Sequence, residues 1–242
     1  MNYYIIRESG KLKIIGKYPQ TKDIHYNCDV WNEPKFIGQI HFEKVDFDPI
    51  IANAILHPKS KQTDLINTNS AMGFSNKLLI SGKLKTILEK NRKQGMQFFK
   101  SPIIQNNLLV EDYWILNMSE FNNDYVDFLN SKILLEEITS ENINSLYLSI
   151  NSLKDYELKI EEIRGKKGCD LRIEKLVLSK DKINNDFFMI RYSFSGIYFV
   201  SEKLKQEIED GGCTGIEFQP IELSFNEWTM PGGEREKLYG KA

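Results

Sequence analysis

The residues of this 242-residue chain that could do chemistry are few, and their spacing limits what that chemistry could be. His25, His41 and His57 recur every sixteen positions, with none of the HxH or HExxH spacing that turns two imidazoles toward one ion. His25 and Cys28 stand three apart, which is half of a metal site, but no second CxxC or HxxxH supplies the other half. A cysteine nucleophile needs a base and an electropositive setting to form its thiolate. Cys169, in RGKKGCDLR, has the cations, although a glycine-bounded basic run is also an ordinary solvated turn. There is no GxSxG elbow and no P-loop. The Gly-Gly pairs at 211–212 and 232–233 read as backbone punctuation, because anions bind at helix N-termini and not where helices stop. The expectation is therefore no catalytic residue, no metal site and no cofactor.

Charge is the other resource. Lys83, Lys85, Lys90, Arg92 and Lys93 gather beside Phe98 and Phe99, a mixture that could touch nucleic acid. The chain answers them with Glu202, Glu207, Glu209 and Asp210 in a related segment, and its net charge is −2 with pI near 6.0. These are mixed helix faces without a global basic field, so no nucleic-acid partner is expected. Six acidic positions, Asp46, Asp48, Asp124, Asp127, Glu136 and Glu137, are candidates for meeting a basic protein partner, each with ordinary solvation as its plain alternative.

The elements that position these groups include one unit that occurs twice. LISGKLKTILEKNRKQGMQFF (79–99) and YFVSEKLKQEIEDGGCTGIEF (198–218) align without a gap at an offset of 120 (201 − 81). Identical pairs are Ser81/Ser201, Lys83/Lys203, Leu84/Leu204, Lys85/Lys205, Glu89/Glu209, Gly95/Gly215 and Phe98/Phe218. That is seven matches, against about one expected from residue frequencies. The pattern reads as strand, serine-capped helix, glycine stop, strand. Gly211-Gly212 sits where a left-handed C-cap belongs, and Asn91 holds the matching place in the first copy. Pro220 limits the last strand to an edge or an end.

Around these units the first fifty residues read as short strands joined by turns, and IANAIL (51–56) is ambiguous between strand and helix. Lys59 to Asn76 is polar and aperiodic, the pattern of a long surface loop. EDYWILNM reads as a strand and KILLEEI and LYLSI as further strands of a meander; DYELKIEEI, LRIEKLVL and FFMIRYSFSGIYFV follow without an assignment, and the charged, turn-rich end reads as a surface tail. The expected division is 1–58 strand-rich, 59–223 core with both units, and 224–242 tail. The expected class is α+β, mostly antiparallel sheet with the strand–helix–strand unit occurring twice and helices packed on the sheet. The opening MNYYIIRESGKLKII alternates like a strand and not like a signal peptide, no apolar run approaches the roughly 18 residues of a membrane span, and three cysteines form no paired framework. A reducing cytoplasm is the expected compartment.

LLISGKLKTIL, YWILN, DYVDFLNS and EKLVLSKDKINNDFFMIRYSFSGIYFVSEKLKQEIEDGGCTGIEFQPIEL, in that order, resemble the bacterial immunity proteins encoded beside polymorphic toxins, and in particular the eleventh catalogued immunity family. The resemblance runs from about Lys59 to Leu223 and is most specific from Leu176 onward. It implies a non-enzymatic protein that binds and neutralises a cognate toxin domain encoded by a neighbouring gene, delivered between competing bacteria by a contact-dependent or type VI secretion system. It carries over no toxin-binding residue, because what matches is the strand–serine–helix frame. Without it, the residues alone leave open a hydrolase or transferase with a site assembled from distant positions, or a nucleic-acid-binding regulator using the Lys83–Lys93 helix.

Overall fold

The computed structural model describes residues 2–68, 77–140, 142–192 and 195–241. In chain order its elements begin with β1 (Tyr3–Glu8), α1 (Leu12–Ile15), β2 (Thr21–His25), β3 (Asn53–Leu56), β4 (Leu65–Ile66), β5 (Leu78–Ser81), α2 (Gly82–Asn91), β6 (Met96–Lys100), β7 (Ile103–Gln105), β8 (Leu108–Val110) and β9 (Tyr113–Met118). They continue with β10 (Lys132–Ile138), β11 (Ile143–Leu148), α3 (Leu153–Ile163), β12 (Cys169–Lys175), β13 (Phe187–Arg191), β14 (Gly196–Ser201), α4 (Glu202–Asp210), β15 (Ile216–Pro220), α5 (Phe225–Thr229) and α6 (Glu234–Tyr239). The chain is α+β with almost wholly antiparallel sheets, as expected; β3 and β7 form a parallel pair.

The two repeated units build two four-stranded sheets of the same design, β4-β5-β9-β6 and β13-β14-β1-β15. Within each, the strands before and after the helix run parallel to one another and are separated by a third, antiparallel strand. The register is the same in both: Ser81, Ile80 and Leu79 face Tyr113, Trp114 and Ile115, while Ser201, Val200 and Phe199 face Tyr3, Tyr4 and Ile5. Phe98 then faces Leu116 as Phe218 faces Ile6. Thus YYII at the start of the chain is the counterpart of YWIL, 110 positions later (113 − 3). The third strand follows the helix unit in one copy and precedes it in the other, so the copies are circular permutations of one arrangement. β1, which opens the N-terminal segment, lies in the middle of the second sheet.

All seven identities have structural work. Ser81 and Ser201 cap their helices, accepting from the N–H of Leu84 (3.2 Å) and Leu204 (3.1 Å). Their hydroxyls donate to Asp64 (2.6 Å) and Asp186 (2.5 Å), and Lys83 and Lys203 pair with the same carboxylates at 3.3 and 2.9 Å. Leu84 and Leu204 are buried. Lys85 pairs with Glu89 and lies over the rings of Trp114 and Phe98; Lys205 pairs with Glu209 and lies over Tyr4 and Phe218. Gly95 and Gly215 hold φ +76° and +81°, and a Cβ at Gly215 would sit 2.5 Å from the Leu65 carbonyl oxygen.

Strand alternation gives each four-stranded sheet two apolar faces. Leu65, Ile80 and Leu116 of the first sheet join Ile6, Phe187, Val200 and Phe218 of the second, with Leu84, Leu88, Leu204 and Ile208 of the helices, in one shared core. α2 and α4 cross there with matched contacts: Ile87 against Gly211, and Glu207 against Asn91, its amide at 3.0 Å. The opposite face of the first sheet packs on the β2-β3-β7-β8 sheet, and that of the second on β11-β10-β12 and α3.

Several local readings change. Gly212 alone is left-handed (φ +63°); Gly211 is right-handed, and its missing side chain makes room for Ile87. Asn91 ends α2 within the helix, followed by an extended Arg92, and its amide holds the Ile87 carbonyl and the Glu207 carboxylate. The polar stretch from Lys59 is no surface loop up to residue 68: Leu65–Ile66 is strand, and Thr63, Asp64 and Asn67 are buried. Its burial is tolerated because Asp64 accepts from Ser81 and Thr214, and Asn67 N–H donates to Gln20. Residues 69–76 lie outside the described ones. DYELKIEEI, which carries no assignment from sequence, lies in helix α3, capped by Ser152, with Tyr156, Ile160 and Ile163 at helical spacing.

Removing either capping hydroxyl leaves a helix N-terminus and an aspartate short of a partner. Ser81→Ala and Ser201→Ala are each expected to lower stability by about 1–2 kcal/mol. Urea unfolding reads this directly, and unchanged midpoints would contradict the structural role.

Candidate functional site

Asp64–Ser81–Lys83 and Asp186–Ser201–Lys203 look like the parts of a serine nucleophile with a lysine base. Their bonding is wrong for it. Each serine hydroxyl donates to a carboxylate and accepts from a backbone N–H, and Ser201 is fully buried. A general base must be able to shed its proton. Hydrogen bonding to Asp186 holds the Lys203 ammonium above the usual lysine range, and although burial pushes the Asp186 carboxyl up, Ser201 and Lys203 hold it below the usual value. Both trios are clamps between strand and helix.

The other chemical candidates are dispersed. His25 is exposed on β2, and among the described residues no three His, Cys, Asp or Glu side chains could share an ion. Cys169 begins β12 opposite Glu137, while Arg164 and Lys166 of its basic run pair with Glu161 and Glu162. Burial pushes the Cys213 thiol up to about 11, away from nucleophilic use. The basic cluster on α2 is spent internally: Lys83 on Asp64, Lys85 on Glu89, Lys90 on Glu207. Buried Arg92 donates to Asn122 and to the Phe187 carbonyl. Lys93 is exposed and makes no ion pair among the described residues.

The six acidic candidates do not gather in one place in the fold. Asp46 and Asp48 are exposed in the segment before β3. Asp127 closes its own turn, accepting from Asn130 at 2.7 and 3.2 Å, and Glu136 pairs with Arg172 at 2.7 Å. Glu137 is exposed on β10. Asp124 lines a groove of about 450 Å³ with Glu157, Glu161, Tyr156 and Ile160, and with Arg191 stacked on Phe42 and Phe121.

A second groove, of about 500 Å³, runs between α2 and the outer edge of β6, lined by Lys85, Glu89, Lys93, Met96, Phe98 and Trp114. Arg92 of this second groove bonds Asn122 and reaches Glu120 at 3.5 Å, and the sequence neighbours Phe121 and Asn123 line the first. Together they offer aromatic and aliphatic surface with charge at the rim, the anatomy of a protein-binding patch. No spacing rule pointed to them, because their walls come from separate elements.

Elsewhere, a cleft of about 640 Å³ is lined by Arg7, Lys132, Arg172, Tyr192 and Phe225; Arg7 donates to Gln219 and lies over Phe225. The segment read as a surface tail forms α5 and α6 and is docked. Trp228 is buried, the Tyr239 hydroxyl accepts from Phe218 N–H at 2.9 Å, and Arg235 grips Glu217 through two bonds of 2.6 and 2.7 Å. No helix among the described residues is long and apolar enough to cross a membrane.

Breaking the Arg235–Glu217 pair leaves a carboxylate that is 1% exposed without its counter-ion, with the Ser9 hydroxyl and the Gly10 N–H as its remaining donors. Arg235→Ala should cost about 3–5 kcal/mol and free α5–α6, seen as faster proteolysis after residue 220; an unaltered protease pattern would speak against the docking.

Compared with known proteins, the chain has no match among curated proteins. The model of the Immunity protein family (Imm11) matches residues 46–223, well over half of the chain, including β3 to β15.

Proposed function

Because the chain belongs to the Imm11 immunity protein family, we propose that it binds a cognate bacterial toxin and neutralises it by a non-catalytic protein–protein interaction. The observation that carries this is the family match, which spans both repeated units and the segments between them. The toxin is the C-terminal domain encoded by the neighbouring gene, delivered by a competing cell through a contact-dependent or type VI system, and the protein meets it in the cytoplasm. Inhibition of this kind needs an interface that covers or distorts the toxin's active site, commonly burying roughly 1,200–2,000 Å². It needs no reactive group, which agrees with serines and lysines tied into structural clamps.

Among the acidic candidates, Asp46, Asp48, Asp124 and Glu137 are free to act as rim contacts, whereas Asp127 and Glu136 are engaged within the chain. Rim charges tune the association rate more than the final affinity.

Calorimetric titration of this protein against the neighbouring toxin domain should give nanomolar binding, and co-expression should abolish toxicity. A soluble, active domain that neither binds nor loses activity would overturn the reading.

A further inference from the structure

The two units differ in one respect that their shared frame makes visible. In the second, the edge of β15 is covered by the chain itself: Tyr239, backed by Trp228, takes the Phe218 N–H, and on the other face of the strand Arg235 binds Glu217. The equivalent space in the first unit is the 500 Å³ groove, in which Phe98 stands for Phe218, Trp114 for Tyr4, Glu89 for Glu209 and Gln97 for Glu217. Among the described residues no hydroxyl accepts from Phe98 N–H as Tyr239 accepts from Phe218 N–H. The substitutions also change the sign of the site. Where the second unit has Glu217, Gly212 and Cys213, the first has Gln97, Arg92 and Lys93. The Gln97 amide is neutral and already bonded to Val45 at 2.7 and 3.0 Å, so this position offers no carboxylate to an Arg235-like cation. Lys85 and Arg92 are already paired with Glu89 and Glu120, which leaves Lys93 as the groove's cation without an ion-pair partner among the described residues.

We propose that the α2–β6 groove is the docking site for a segment of the toxin that presents an aromatic side chain, with tyrosine as the expected type, flanked by acidic residues. This rests on the immunity reading for the identity of the partner. The aromatic ring takes the place that Tyr239 fills in the second unit, against Phe98 and Trp114, and its hydroxyl caps the open edge of β6. The acidic flank meets Lys93. The chain's own C-terminal helices are held at the second unit by the two bonds of Arg235 to Glu217, a position occupied by Gln97 in the first.

The test labels the three tryptophans with 5-fluorotryptophan and follows their fluorine resonances as the neighbouring toxin domain is added, with Trp114 assigned through Trp114→Phe. The expected result is that the Trp114 resonance moves and that of buried Trp228 does not. Lys93→Glu, an exposed change that leaves the melting temperature unaltered, should weaken binding roughly tenfold or more by setting like charges together, and added salt should shrink the difference. If the wild-type protein binds the toxin while Trp114 stays unmoved and Lys93→Glu binds equally well, the groove assignment fails and the immunity reading stands. If the wild-type protein does not bind a soluble, active toxin, both fall.

Discussion

A strand, a helix and a second strand running the same way leave a gap one strand wide, and an antiparallel strand from elsewhere has to fill it. The rest of the fold depends on how the two gaps are closed. In the first unit β9 comes from the chain that follows; in the second, β1 comes from the far end of the sequence. Once both are filled, each sheet turns one apolar face to the helices. The helices meet through paired contacts at Ile87–Gly211 and Asn91–Glu207, and a single core serves both units. The flanking sheets cover what remains apolar. Neither unit would be complete alone, since each leaves half of the shared core open.

The repeat is legible because its seven identities each have a local role that is the same in both copies: a cap, a carboxylate-bound lysine, a core leucine, a lysine over rings with its glutamate, a positive-φ glycine and a phenylalanine. The third strand is not, although YYII and YWIL are plainly alike, because permutation puts it on the opposite side of its unit in the two copies. Asp64 and Asp186 were missed for a related reason: at an offset of 122 (186 − 64) they fall two positions out of step with the serines they bind. β4 is two residues long and shows no period. The tail reads as solvated by composition, yet Trp228, Arg235 and Tyr239 hold it to β15 through contacts that link positions about twenty apart.

The same comparison separates frame from function. Positions shared by the two units bear on capping, packing and backbone shape, and both units lie within the span matched by the Imm11 family. Positions that differ, Gln97 against Glu217 and Lys93 against Cys213, decide what can lie along the outer strand. A list of exposed acids could not find such a site, because charge there is read relative to a neighbour that is present in one copy and not in the other. None of the acids named from sequence lines the α2–β6 groove.

The placement of β1 also sets a schedule. Tyr4 pairs with Pro220, so the second sheet joins chain segments separated by nearly the whole sequence, whereas β4, β5, β6 and β9 lie within a compact span. Contacts this distant close slowly, because the intervening chain must be gathered before they form. During synthesis the first sheet and its helix can assemble while β1, already outside the ribosome, waits for strands not yet made. An apolar strand held open for that long is a natural client for a chaperone, and the shared core cannot seal until the last unit arrives.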